Sequence, residues 1–188
     1  MESLLELVKR TIQAFKPSHL CQPTDARLGN EPSLPLEDLY CKEFYRAFLE
    51  VYSSALLLCP EWGAAGIKDG GSIDFVLPTK GWALELTREG GKSKEHYDRF
   101  QSGGKYSRWF DNGVLNDFIV IDFRMTTPRT KHHGTCCTSK ASLLCLTTLD
   151  MPKLVRCVFD QPDFTGATFY DVTAENTEWY PLTEENGV

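Results

Sequence analysis

The chain has 188 residues, 41% hydrophobic and 24% charged, with a net charge of −6 and a pI near 5.3. That composition suits one globular domain with a real core, and it excludes a protein that coats nucleic acid by bulk positive charge. No run approaches the roughly 18 consecutive apolar residues of a membrane span, and Glu2, Glu6, Lys9 and Arg10 interrupt any signal-peptide core. The seven cysteines, an odd count that includes adjacent Cys136 and Cys137, read as free thiols of a reducing compartment, nucleus or cytoplasm.

Leu4, Leu5, Val8, Ile12 and Phe15 recur at helical spacing, so residues 2–16 are expected to form an amphipathic helix. Four prolines between Pro17 and Pro35 mark a linker or surface arm. The expected division is therefore an N-terminal helix and arm over 1–35, a folded domain over 36–175 and an acidic tail over 176–188. A long helix is expected from Leu36 to Leu58, with Phe44, Phe48 and Tyr52 on its inner face and Pro60 beyond its end. Residues 72–77 and 82–87 read as two strands joined by the turn Pro78-Thr79-Lys80-Gly81. A helix is expected at 93–101, a short one at 105–111, and a buried strand at 117–123. Later strands are expected at 143–146, 154–159 and 167–170. A helix, a hairpin, a helix and a strand in that order make an α/β or α+β sheet sandwich.

In an antiparallel hairpin, opposed residues have numbers with a constant sum. A turn centred between Thr79 and Lys80 sets Asp74 opposite Glu85, with Cβ atoms roughly 4.5–5.5 Å apart. Ile73, Phe75, Leu84 and Leu86 flank them, so two like charges in apolar surroundings need a counter-charge. A Mg²⁺ or Mn²⁺ ion, which takes hard oxygen ligands, supplies one. A solvated face, or ion pairs to Arg88 or Lys92, supplies another.

The strings GSIDFVLPTKGWALELTREG, EHYDRFQSGGKYSRW and DFIVIDFR resemble the C-terminal domains of Crinkler-type effectors, from about Leu36 to Arg124 and more weakly to Asp171. Those domains are similar to the PD-(D/E)XK, or restriction-endonuclease-like, nucleases. The resemblance implies a central mixed sheet flanked by helices, with a β-hairpin carrying the acidic pair. It also implies Mg²⁺-dependent hydrolysis of DNA phosphodiesters and, for an effector, the host nucleus. On this resemblance Asp74 and Glu85 bind the metal and Glu43 on the preceding helix supports it, with Glu50 second. The position of the superfamily lysine is held by Thr87, a departure. Arg99 or His96, on the following helix, then takes the lysine's role in positioning water and stabilising charge. The same departure motivates a second class of function, an inactive nuclease-fold module that binds nucleic acid or a host protein.

Lys92, Lys94, Lys105 and Arg108 are the expected phosphate contacts, to DNA or to RNA. They belong to residues 92–108, where five basic residues face two acidic ones. Gly91-Lys92-Ser93 lacks the first glycine of a phosphate loop, since that position is Leu86. His132, His133, Cys136 and Cys137 are adjacent pairs, poorly spaced for zinc.

Overall fold

The computed structural model describes residues 2–20, 37–52, 55–63, 72–90, 92–125, 154–160, 164–170 and 177–182. The His132–Cys137 cluster and the strand expected at 143–146 lie outside them.

Seven strands form one mixed sheet in sequence order: β1 (Cys59–Trp62), β2 (Ile73–Leu77), β3 (Trp82–Arg88), β4 (Asp117–Arg124), β5 (Leu154–Phe159), β6 (Gly166–Tyr170) and β7 (Thr177–Pro181). Strands β3, β4 and β5 run parallel, and the other neighbours pair antiparallel. Alternation along β3 and β4 sends side chains to two faces. Leu84, Leu86, Ile119, Ile121 and Phe123 join the core beneath helices α1 (Leu4–Gln13), α2 (Pro17–Leu20) and α3 (Glu37–Tyr52). Ala83, Phe118 and Val120 join a smaller core beneath α4 (Ser93–Arg99) and α5 (Ser107–Asp111). Covered on both faces, β4 reads as a nearly unbroken apolar run, as a buried parallel strand should. Among the described residues, no helix is long and apolar enough to cross a membrane.

The hairpin has the expected register: Phe75 pairs with Leu84, Val76 with Ala83 and Leu77 with Trp82. Gly81 closes the turn at φ 62°, and a Cβ there would meet Asn116 Nδ2 at 2.6 Å, so glycine is needed on both counts. Cross-strand pairing of β2 with β3 stops at Phe75, one residue short of the acidic pair.

Three elements differ from expectation. The first helix forms where expected but belongs to the folded domain: Ser3 caps it, accepting from the Glu6 N–H at 3.2 Å. Leu7, Val8, Ile12 and Phe15 are then fully buried in the main core. Phe15, Tyr40, Phe123 and Phe159 pack ring on ring there, with Phe44 edge-on to Phe15 and with the ring centres of Tyr40 and Phe123 4.7 Å apart. The helix α3 ends at Tyr52, and the chain enters β1 at Cys59. Pro60 hid this strand, yet on the edge of a sheet its missing N–H costs nothing. The third is β7, which pairs with β6 inside the stretch expected as an acidic tail.

Because Phe15 sits in this aromatic core, Phe15→Ala is expected to cost about 3–5 kcal/mol in chemical denaturation. An arm outside the domain would lose no more than about 0.5 kcal/mol.

Candidate functional site

Ladder pairing of the hairpin ends at Phe75, and beyond it the Asp74 carboxylate takes up a backbone group of β3. The Leu86 N–H donates to Asp74 Oδ2 at 2.7 Å. Burial, then the charge of Glu85, push the Asp74 pKa up to about 6, against the pull of the Leu86 N–H and His96. The two carboxylates thus sense one another, as the register requires.

Glu85 lies between Leu84 and Leu86, which face α3, so its own side chain faces α4. It is fully buried. His96 Nδ1 contacts Glu85 Oε2, the geometry of a ring N–H donated to a carboxylate, which when ionised only accepts. Arg99 Nη1 lies 3.5 Å from the same oxygen while its Nη2 donates to Glu95 at 2.8 Å. The counter-charge on Glu85 therefore comes from α4. The other oxygen, Oε1, is buried and has no hydrogen-bond partner among the described residues. A buried carboxylate oxygen left unpaired is costly, and it is the feature a cation would relieve. Hard oxygens from Asp74 and Glu85 suit Mg²⁺ or Mn²⁺, which need only one or two carboxylates besides water and substrate. No group of three or more His, Cys, Asp or Glu side chains is gathered for a metal among the described residues.

Glu43 is not brought to this pair. It is buried on the opposite face of the sheet, where α3 meets the corner of α1 and α2. Its Oε1 accepts from the Lys16 N–H at 2.7 Å and Arg46 Nη2 at 2.6 Å. Its Oε2 meets His19 Nδ1 at 2.7 Å and Arg46 Nε at 2.9 Å. Burial pushes the Glu43 pKa up, but these donors overcome it and hold the group below its ordinary value. With both oxygens doubly engaged, the carboxylate has no lone pair for a metal, and its role is to fasten the helical corner. Glu50, the second choice, pairs with the same Arg46. The acidic residue of α3 within electrostatic reach of Asp74 is the exposed Glu37, at the start of the helix.

Thr87, at the lysine position, points to the α4 face beside Asp122 of β4, with Oγ1 3.5 Å from Asp122 Oδ1. Lys92, Lys94, Lys105 and Arg108 are all exposed on the side of α4 and α5. Of these, Lys94 is paired with Asp98 one helical turn on. No family model, curated protein or solved structure matches the chain.

Sequence reasoning passed over the buried polar column on β4 and β5. Asp122 and Arg156, in register on neighbouring strands, are both buried, and Arg124 Nε donates to Asp122 Oδ2 at 2.6 Å. Tyr106, its hydroxyl donating to the Ser72 carbonyl at 2.9 Å, also lies close to Glu85. The signal was present: a charge inside an otherwise apolar strand, as in DFIVIDFR and LVRCVF, requires a buried partner.

Two outcomes follow. The folded Asp74 pKa exceeds its ordinary 3.8, so the folded state keeps a proton that the unfolded chain has released between about pH 4 and 6. Stability from this group is present below that window and is lost as pH rises through it. In thermal melts the wild type should lose stability relative to Asp74→Asn from pH 4 to 6, then run parallel to it. Glu43→Ala should cost about 2–4 kcal/mol by stranding Arg46 and the Lys16 amide. It should leave Mn²⁺ affinity, measured by calorimetry, unchanged.

Proposed function

We propose that this chain is a divalent-cation-dependent nuclease of the restriction-endonuclease-like kind, in the manner of the Crinkler effector domains its sequence resembles, acting on DNA phosphodiesters. The observation that carries the reading is the unpartnered, buried Oε1 of Glu85 beside the Asp74 carboxylate. The order of elements supports it: a helix, a hairpin holding the acids, a helix on the far face and a parallel strand.

Asp74 and Glu85 would hold Mg²⁺ or Mn²⁺. The ion would supply a water of lowered pKa and neutralise charge on the phosphodiester. The chain's own residues do the rest. His96 engages Glu85 Oε2 and so would leave Oε1 available to the cation. Arg99, shared between Glu85 and Glu95, brings a guanidinium to the pair and stands in for the lysine that Thr87 replaces. A guanidinium fixed on a helix stabilises developing negative charge without reorganising. Lys92, Lys105 and Arg108 neutralise flanking phosphates, and Lys94 joins them once released from Asp98. The rest of the sequence is net acidic, which favours binding on this side. In a host cell the substrate would be met in the nucleus.

A second reading is favoured by Thr87: an inactive module on the same fold, binding nucleic acid or a host protein without cutting. No ammonium stands at that position, and Arg99 is partly committed to Glu95.

Plasmid nicking separates the two. The nuclease should cut in Mg²⁺ or Mn²⁺, stop in EDTA, and lose at least about 100-fold in rate in Asp74→Ala, Glu85→Ala or Arg99→Ala. Cutting that survives both carboxylate variants would place the chemistry elsewhere. Mn²⁺ binding by calorimetry without nicking would select the module.

A further inference from the structure

Three residues of the connection from β3 to α4 adopt left-handed backbone: Glu89 at φ 52°, Gly90 at 72° and Lys92 at 59°. Two of them carry side chains, which disfavour this conformation, so the turn persists only where its surroundings hold it. The end of β4 does so. The Glu89 N–H donates to the Phe123 carbonyl at 2.9 Å. Glu89 Oε1 accepts from the Met125 N–H at 2.6 Å. The Gly90 N–H donates to Asp122 Oδ1 at 2.8 Å, and Arg124 Nε holds Asp122 Oδ2 at 2.6 Å. The Arg124 side chain fills the space above Gly90: a Cβ there would stand 2.2 Å from Nη2.

This turn joins the strand of Glu85 to the helix of His96 and Arg99. Glu85 is four residues before Glu89, and His96 four after Lys92. The angle at which α4 leaves the sheet therefore decides whether His96 reaches Glu85. Asp122 is buried, bonds the turn directly, and lies on the same face as Glu85. We propose that Asp122 is a positioning residue: by clamping the Gly90 amide it sets α4 and so seats His96 against Glu85. Its consequence for cation binding rests on the reading of Asp74 and Glu85 as a metal pair; the seating of His96 does not.

The ring ¹⁵N signals of His96 in metal-free protein test the seating. The wild type should show an engaged Nδ1–H. Asp122→Ala should move the signals toward free imidazole, as should Gly90→Ala, which displaces Arg124 from the turn. Asp122→Asn, whose amide oxygen still accepts from Gly90 although its NH2 cannot accept from Arg124, should restore them at least in part. A wild-type ring already free, or signals unmoved in both Asp122→Ala and Gly90→Ala, overturns the proposal. Failure of Asp122→Asn to restore them overturns the role given to the Gly90 bond. Should Asp122→Ala not fold, Gly90→Ala against Asp122→Asn decides: a shift in the first alone supports the proposal, and none in the first overturns it. Mn²⁺ titration of the same proteins reads the cation. Affinity should fall about tenfold wherever His96 has moved, the low end of the range for outer-shell partners. Unchanged affinity in those variants removes Asp122 from cation binding. A wild type that binds no Mn²⁺ sinks the metal reading and leaves the His96 result standing.

Discussion

Burying the Glu85 carboxylate in a parallel strand is the constraint around which the α4 side of the molecule is arranged. A charge removed from water must be met by opposite charge and hydrogen-bond donors. Glu85 cannot find these within β3, where Leu84 and Leu86 face the other core. It finds them on α4, so helix and strand must dock in one orientation. That docking brings the turn, the end of β4 and Asp122 into the same requirement. A cluster of Phe100, Tyr106, Trp109 and Phe118 supplies the apolar seal around it. The aromatic rings contribute burial, and the carboxylate contributes uniqueness of placement.

Two buried glutamates of the same chain show how surroundings decide role. Glu43 and Glu85 are 3% and 0% exposed. Glu43 is saturated by Arg46, His19 and a backbone amide, and it behaves as a rivet between helices. Glu85 is met on one oxygen only. Its neighbour Asp74 is pushed up toward neutrality, first by burial and then by the charge of Glu85. Energy left unspent on internal pairing is what a binding site retains for its ligand. A structural ion pair, by contrast, completes itself.

The sheet explains why the pair is placed where it is. Antiparallel β2 leaves β3 after Phe75, while β3 continues beside β4 as far as Arg88. Where the ladder ends, Asp74 takes the Leu86 amide and feels the charge of Glu85. Glu37 at the exposed start of α3 and His96 on α4 act on the same carboxylate. Turn chemistry at Pro78–Gly81 holds the register that brings the two acids into reach.

What was legible in the residues was local. Side chains on a strand alternate with period two, and a four-residue turn leaves one pairing, so the register that pairs Phe75 with Leu84 could be set from the sequence. Helices α1 and α4 and strands β4, β5 and β6 were legible from apolar spacing for the same reason. The rest depended on contacts far apart along the chain. Glu43 had to await Lys16 and His19 from the corner between α1 and α2 to become structural. Pro60 concealed an edge strand that only pairing with β2 creates. Asp122 acquired meaning when Gly90, 32 positions earlier, was folded onto it. Periodicity reports which face of an element is buried. It is silent on which element arrives to cover that face, and here the arriving element decided whether a carboxylate was a rivet or a site.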